Sequence, residues 1–163
     1  MTRAKKSPGG KPEIASLEPV EGRAWGGFLR AHHRIVKQLD AELRAGHGLA
    51  LSEYEVLLLL AWSAEGRMQM SALTKQVLLT PSGLTRTVDR LERDGLVRRE
   101  ASQKDRRISY AVLTPQGWST FLAAHATHHR GIRQHFSRHC GPEELLVLAS
   151  LFERLGREEP LGR

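Results

Sequence analysis

The sequence predicts a mainly α-helical fold with a small β-hairpin wing, arranged as a winged helix-turn-helix. Apolar residues recur at three- and four-residue spacing along most of the chain, which is the period of an amphipathic helix. Two adjacent segments near residues 96–113 alternate as strands do and predict a hairpin. Three helix-like segments in quick succession precede this hairpin, and that order is the plan of a winged helix-turn-helix.

The composition indicates a folded domain with a polyanionic partner. The chain has 163 residues, of which 40% are hydrophobic, and its formal net charge is +7. A basic balance favours nucleic acid as a partner, because each neutralised phosphate releases counterions. Residues 1–18 combine glycine, proline and basic side chains, so we expect a flexible basic tail there and one domain over 19–157.

The chain is expected to be cytoplasmic, with no membrane partner. Its single cysteine, Cys140, cannot form a disulfide within the chain, which is consistent with a reducing compartment. No apolar run approaches the roughly 20 residues that cross a bilayer, and the N-terminal basic residues are not followed by the apolar segment of a signal peptide. The sequence contains no glycine-rich phosphate loop and no nucleophile elbow, so we expect neither enzymatic activity nor a cofactor.

The first predicted helix runs from about Pro19 or Glu21 to Ala45. Residues at three- and four-residue spacing form its apolar face: Trp25, Phe28, Leu29, His32, Val36, Leu39 and Leu43. Gly46 and Gly48 are predicted to end this helix, because glycine is common at the left-handed position that follows a helix.

The second and third helices are predicted mainly from their start signals. Ser52 and Glu55 have the spacing of a capping box just before the apolar run 56–62. That run is apolar on all sides, which predicts a helix that is largely buried and is closed by Gly66. A short third helix is expected next, with Ser71 as its N-cap.

The fourth predicted helix has two start signals and one stop signal. Thr80 is the expected N-cap, Pro81 the first helical residue, and Gly95 the left-handed residue after the end. At about 100° per residue, three apolar residues share the side that is predicted to be buried: Leu84, Val88 and Leu91. The opposite, outward side is polar and carries Ser82, Thr85, Arg86, Asp89 and Arg93.

The outward side of the fourth helix and the hairpin tip both suit contact with DNA. Short hydrogen-bonding side chains and Arg86 lie near the helix N-terminus, where they could read base edges in a major groove. The predicted strands are 96–100 and 107–113, and the loop between them has a cationic tip suited to a minor groove. Asp105 is predicted to pair with Arg106 or Arg107 and hold the loop. An ordinary solvated helix and turn is the alternative.

Two further helices are predicted after the hairpin. Thr114 and Pro115 repeat the cap-plus-proline signature, and the fifth helix is expected to continue to about His139. Gly141 and Pro142 should break it. The sixth helix, 142–155, carries one apolar stripe made of Leu145, Leu148, Leu151, Phe152 and Leu155.

The segment 71–114 resembles the MarR (multiple antibiotic resistance regulator) family. Short motifs carry the resemblance: GLTR at 83–86, VDRLE at 88–92, DGLVRR at 94–99, DRR at 105–107, LT at 113–114, and Gly117. The flanking helices match the family in order and length, so the likeness covers about residues 20–157. The resemblance implies a winged helix-turn-helix lobe over 50–114, and a homodimer held together by the helices of 19–46 and 115–157.

The resemblance also implies a function. Members bind palindromic operators in double-stranded DNA, and many are repressors that a small-molecule effector releases. In this chain the recognition helix would be 81–93 and the wing tip 102–107. The residues that we predict to contact or support contact with DNA are Ser71, Thr80, Pro81, Ser82, Thr85, Arg86, Arg90, Lys104, Asp105, Arg106 and Arg107.

An effector pocket is expected along the first two helices and the start of the fifth. Apolar walls with a few polar groups suit an aromatic or amphipathic ligand. The candidate lining residues are Trp25, Phe28, His32, His33, Tyr54, Leu58 and Trp62. The alternative is that these side chains belong to the core.

Two other functions compete with this hypothesis. His125 and His129 are four residues apart on the fifth helix and could share a metal, as in a zinc-sensing regulator. Few carboxylates and no cysteine lie nearby in the sequence, which favours a surface or dimer-contact function for the histidines and predicts no metal site. The second alternative is a winged-helix module for protein association, whose basic face is incidental.

Overall fold

The computed structural model describes residues 17–103, 105 and 107–157. The described part is mainly helical with one three-stranded sheet, which confirms the predicted fold class. The elements, in chain order, are α1 (Pro19–His47), α2 (Leu51–Trp62), β1 (Arg67–Gln69), α3 (Met70–Gln76), α4 (Pro81–Arg93), β2 (Val97–Ala101), β3 (Ser109–Leu113), α5 (Pro115–His135) and α6 (Pro142–Gly156). The chain divides into two compact units, Met1–His33 and Arg34–Arg163.

The sheet of the second unit has one strand more than the sequence predicted. Its order is β1-β3-β2 with both pairs antiparallel, and Arg67 faces Val112 in the register. The missed strand β1 has only three residues, too few for an alternating pattern. It begins directly after Glu65 and Gly66, both at positive φ (58° and 64°), which turn the chain from the end of α2 into the sheet.

The core of the second unit is built around α2. Val56, Leu57 and Leu60 are fully buried, which confirms the prediction that this helix is covered on most sides. They belong to one cluster with α3, α4, the sheet and α5, including Leu73, Leu84, Val88, Leu91, Ala111 and Phe121. Each fully buried leucine contributes roughly 1.5–3 kcal/mol, so α2 fixes the positions of the surrounding elements.

The C-terminal part of α1 packs on α5 at a glycine. A Cβ atom on Gly131 would lie 2.6 Å from Leu39 Cδ2 and 2.7 Å from Glu42 Oε2, so a larger residue there would require these two side chains to move. The same two helices are joined by the contact of His135 Nε2 with Glu42 Oε1, at 2.6 Å. α1 ends two residues later than predicted, at His47 instead of Ala45, and Gly48 takes the left-handed conformation after it.

The caps of α2 and α3 differ from the predicted ones. α2 begins at Leu51, and the Ala50 N–H donates to Glu53 Oε2 at 2.7 Å, so the predicted box of Ser52 and Glu55 is wrong. The helix starts earlier because Asp40 of α1 accepts a hydrogen bond from the Leu51 N–H at 2.9 Å. α3 follows β1 without a break, which places its N-cap at Gln69 and leaves Ser71 inside the first turn.

The end of α5 also differs from the prediction. The helix stops at His135 instead of His139, because Phe136 leaves the helical region with φ −125° and ψ −72°. A 3-10 turn, Ser137–His139, follows before α6 begins at Pro142. Among the described residues, no helix is long and apolar enough to span a membrane.

Candidate nucleic-acid interface

The first turn of α4 is fixed by its own side chains. Thr80 Oγ1 accepts a hydrogen bond from the Gly83 N–H at 3.1 Å, and Pro81 is the first helical residue, as predicted. Thr85 Oγ1 donates to the Pro81 carbonyl at 3.0 Å. Capping satisfies an amide that would otherwise lack an acceptor, so hydrogen bonds within the turn help to fix the start of the helix.

The two sides of α4 separate as the sequence predicted. Leu84, Val88 and Leu91 are buried beneath the helix. Ser82, Thr85, Arg86 and Arg93 are exposed, and Asp89 is partly exposed: these five residues form the outward face of α4. Arg86 has no ion-pair partner among residues 17–103, 105 and 107–157, so within that part its guanidinium is available for an external acceptor.

Arg90 is placed differently from the other predicted DNA contacts. Its Nε lies 3.0 Å from Glu53 Oε1 and 4.0 Å from Asp94 Oδ2. Glu53 is only 4% exposed, and it also caps α2. A buried carboxylate needs a partner of opposite charge, so Arg90 supports the junction of α2 and α4.

The base of the wing loop is closed by two backbone hydrogen bonds and by one that the Asp105 side chain accepts. Asp105 Oδ1 accepts from the Arg107 N–H at 2.9 Å, and the Asp105 carbonyl accepts from the Ile108 N–H at 3.0 Å. The Ser102 N–H donates to the Ile108 carbonyl at 2.9 Å. Asp105 therefore holds the loop as predicted, but through the amide of Arg107 and not through its guanidinium. Lys104 and Arg106 lie outside the described residues.

Arg99 of β2 crosses to α4, a contact that the sequence analysis missed. Its Nη2 lies 2.6 Å from Asp89 Oδ1 and 3.5 Å from the Thr85 carbonyl, and its backbone N–H donates to Glu92 Oε1 at 3.0 Å. The signal was present, because Thr85, Asp89 and Glu92 lie four and three residues apart on one side of a helix. Only the sheet shows which arginine reaches them.

The turn between α3 and α4 is more exposed than expected for its composition. Leu78 is 94% exposed, although it lies only three residues before Pro81. Ser71, a predicted DNA-contact residue, is exposed in the first turn of α3. Both residues are accessible to a partner of the helix-turn-helix.

The predicted effector-pocket residues fall into two groups. In the first unit, the rings of Trp25 and Phe28 are 5.8 Å apart, Phe28 and His32 are 6.1 Å apart, and all three side chains and His33 are exposed. In the second unit, Tyr54 is fully buried, Leu58 is partly buried and Trp62 is exposed. For Tyr54 the structure supports the core alternative.

Tyr54 is surrounded by histidines of α5. Its hydroxyl lies 2.8 Å from His125 Nδ1, and its ring lies 4.4 Å from the ring of His128. Burial raises the pKa of Tyr54 to about 12. Burial and the neighbouring His129 lower the pKa of His125 and of His128, because a proton on either ring would lie in a poorly solvated, already basic cluster.

The structure gives no support to a metal centre at these histidines. The rings of His125 and His129 lie 4.0 Å apart. However, no group of three or more histidine, cysteine or carboxylate side chains that could hold an ion is found in the described part of the chain. A structural zinc site usually has four protein ligands and a catalytic one three, so two rings alone do not make such a site.

A cleft in the second unit is lined by residues of all three strands and of the loop after β2, and none of the predicted effector residues is among them. Its volume is about 690 Å³, and Arg67, Glu100 and Tyr110 form much of its wall. The Arg67 guanidinium lies over the Tyr110 ring at 3.8 Å, and its Nε is 3.6 Å from Glu100 Oε2. Arg67 therefore ties β1 to the two strands of the wing.

Known proteins resemble the chain in both sequence and fold. Residues 49–109 match the model of the MarR family. The HTH-type transcriptional repressor YetL of Bacillus subtilis is 30% identical over 114 residues, which are 68% of each protein. AbsC, a MarR family transcriptional regulator from Streptomyces coelicolor, has a crystal structure that matches with a TM-score of 0.82 at 32% identity, over 87% of this chain and 95% of that one.

A second structure from the same organism was solved with DNA. Sco3205, a MarR family transcriptional regulator from Streptomyces coelicolor in complex with DNA, matches with a TM-score of 0.84 at 28% identity, over 92% of this chain and 95% of that one. The residues matched by the family model run from just before α2 to the start of β3 and so include the helix-turn-helix and the wing. The resemblance inferred from the sequence motifs is confirmed: the chain belongs to the MarR family of transcriptional regulators.

Proposed function

We propose that this chain is a cytoplasmic homodimer that binds a palindromic operator in double-stranded DNA and represses transcription until a small-molecule effector releases it. The observation that carries the DNA-binding part is the outward face of α4. Its N-terminal half presents Ser82, Thr85 and Arg86 to solvent on a helix whose first turn is already capped. Arg86 can address guanine O6 and N7 as a bidentate donor, and the hydroxyls can bond base edges or phosphates.

Charge and the wing support the same proposal. The net charge of +7 favours a polyanion. Arg107 lies at the base of the wing loop, where the Asp105 carboxylate accepts a hydrogen bond from the Arg107 N–H, so the Arg107 side chain can enter a minor groove from a fixed position. A related regulator of the same fold was crystallised with DNA, and another relative is named as a repressor.

Exposed apolar residues on α6 support the homodimer. Leu146, Val147 and Leu155 are each at least 67% exposed in the single chain. A helix with this much apolar surface gains stability by burying it against another subunit. A symmetric dimer would place one α4 in each half-site, with the half-sites about 34–36 Å apart, one turn of the DNA.

The test is binding of the purified protein to fragments of the DNA upstream of its own gene, measured by fluorescence anisotropy at several salt concentrations. We expect one fragment with a palindromic sequence to bind tightly, with an affinity that falls steeply as salt rises. Equal affinity for that fragment and for a scrambled one of the same length and base composition would contradict the proposal. Compounds that lower the affinity for the operator without unfolding the protein would identify the effector.

A further inference from the structure

We propose that Arg99 is a positioning residue for DNA binding, which neutralises Asp89 on the outward face of α4 and fixes that face against the wing. The inference rests on the proposed binding of DNA by α4. It adds a residue that does not itself need to touch DNA and that acts through the recognition helix. The contact between β2 and α4 thereby becomes part of the DNA-binding machinery.

The geometry gives Arg99 acceptors on two successive turns of α4. Its guanidinium contacts Asp89 Oδ1 at 2.6 Å and the Thr85 carbonyl at 3.5 Å, while its Nε lies 3.9 Å from Glu92 Oε2. Its backbone amide donates to the same Glu92 carboxylate at 3.0 Å. One residue of the strand therefore opposes rotation of the helix about its own axis, because rotation would lengthen these contacts together.

The negative charge of Asp89 explains why a positively charged residue is needed at position 99. Asp89 lies one turn after Arg86 on the outward face, and its side chain is 47% exposed. A carboxylate without a partner at this place would face the phosphates of a DNA strand and repel them. Exposed ion pairs contribute little to folding stability, so the main effect of the pair is expected in DNA binding rather than in unfolding.

Arg98 provides a matched control on the same strand. Successive strand residues point to opposite faces of a sheet, and Arg98 contacts Glu100 while Arg99 contacts α4. Replacing either arginine by alanine removes one positive charge from the wing. Only replacement of Arg99 leaves Asp89 without its partner, so the difference between the two variants measures the effect of the Arg99 contacts with α4.

The experiment measures operator affinity for the wild type and for R98A, R99A, D89N and the double variant R99A/D89N, together with the thermal midpoint of each. R99A is expected to bind at least about tenfold more weakly than R98A, since a strong charge-assisted contact is lost. D89N in the R99A background should recover part of this loss, because the unpaired charge is gone while the ion pair that fixes the helix is still missing. D89N alone should bind more weakly than the wild type and more tightly than R99A, because it loses the ion pair but leaves no unpaired carboxylate.

Two results would overturn the inference. One is equal affinity of R98A and R99A, and the other is a double variant that binds no better than R99A. Should R99A fail to fold, R99K replaces it in the comparison, because lysine keeps the positive charge but lacks the planar guanidinium with its several donors. We expect R99K to bind DNA more weakly than the wild type. Wild-type affinity of R99K would count against the inference. If the wild type itself shows no preference for any operator, the proposed function fails together with the inference, whereas a binding wild type with equal R98A and R99A refutes only the inference.

Discussion

The helices α4 and α6 begin with the same sequence signal but expose opposite kinds of surface: α4 exposes a polar side and α6 exposes apolar residues. Both have a proline at the first helical position, and they contain 13 and 15 residues. α4 buries Leu84, Val88 and Leu91 within the chain and leaves a polar outward face. α6 has no buried residue, and Leu146 and Leu155 are exposed.

The difference shows which helix has its apolar side buried within a single chain. The apolar side of α4 is already covered, so its outward face is available for a polar partner such as DNA. In α6 the apolar residues remain exposed to water until another apolar surface covers them. The comparison supports a division of labour in which α4 binds the operator and α6 joins two subunits.

The largest effect is expected from Leu146→Ser on α6, which tests the subunit half of the comparison. Burying a leucine contributes roughly 1.5–3 kcal/mol, and a symmetric interface counts it twice, so dimerisation should weaken by about 3–6 kcal/mol. Sedimentation velocity over a range of concentrations measures the change. Leu78→Ser is the control, because this exposed leucine lies in the turn before α4. A Leu146→Ser variant as dimeric as this control would refute the assignment of α6.

The next effect is expected from Leu84→Ala beneath α4. This leucine is 1% exposed, and truncation of such a side chain costs about 2–5 kcal/mol of unfolding free energy. Urea denaturation followed by circular dichroism measures the loss, and operator binding should decline in parallel as the lobe unfolds. Leu78→Ala should change stability by less than about 0.5 kcal/mol, since nothing covers that side chain. A similar cost for both variants would show that α4 is not anchored by its apolar side.

A smaller effect is expected from Arg86→Ala on the outward face of α4. Loss of a bidentate contact to guanine should cost about 1–3 kcal/mol of binding free energy and relax specificity at one position of each half-site. Binding to a set of operators with single base changes measures both quantities. Arg93→Ala is the control on the same helix, because it removes the same charge at the C-terminal end. Arg107→Ala should weaken all operators alike, and an unchanged specificity profile for Arg86→Ala would contradict the placement of α4.

The smallest effect is expected from pH, through the histidines around Tyr54. The pKa values of His125 and His128 are lowered in the folded protein, so the unfolded chain binds more protons between those values and about 6.5. Stability is therefore full above pH 6.5 and falls as the pH is lowered through 6.5 towards the folded-state values. Tyr54, which stays neutral there, and His129 lie beside these rings, and burial raises the pKa of Glu55, the neighbour of Tyr54 on α2.

Thermal midpoints between pH 5.5 and 8 measure this dependence. The raised pKa of Glu55 has the opposite effect on stability, because the folded state then binds more protons than the unfolded chain and gains stability on acidification. Glu55→Gln removes that contribution and should make the loss of stability at low pH steeper. A His128→Gln variant should flatten it, and a wild-type midpoint independent of pH would contradict the assignment.

Local signals were sufficient for the start and the two sides of α4. Thr80 and Pro81 act within a single turn, and the spacing of Leu84, Val88 and Leu91 is set by the helical period alone. The exposure of Arg86 follows from the same geometry. Such features depend on residues three or four positions apart, so they can be read before any tertiary contact is known.

Contacts between distant segments determine the third strand, the start of α2 and the ion pairs between elements. β1 exists because three residues at 67–69 pair with β3, and no local pattern marks them as a strand. Glu53, and not Ser52, caps α2 because Asp40 of α1 fixes the start of that helix. The same carboxylate also pairs with Arg90 of α4, a contact between two helices that no local pattern predicts.

The chain order of its residues thus determines which helices this regulator has and which side of each is apolar, because helical periodicity and capping act over a few residues. It does not determine which arginine pairs with which carboxylate. Arg98 and Arg99 are adjacent and identical in type, yet only Arg99 reaches Asp89, since alternate strand residues face opposite sides of the sheet. The choice depends on the register between β2 and β3 and on the packing of α4 beneath it, and both are settled only when the whole lobe has folded.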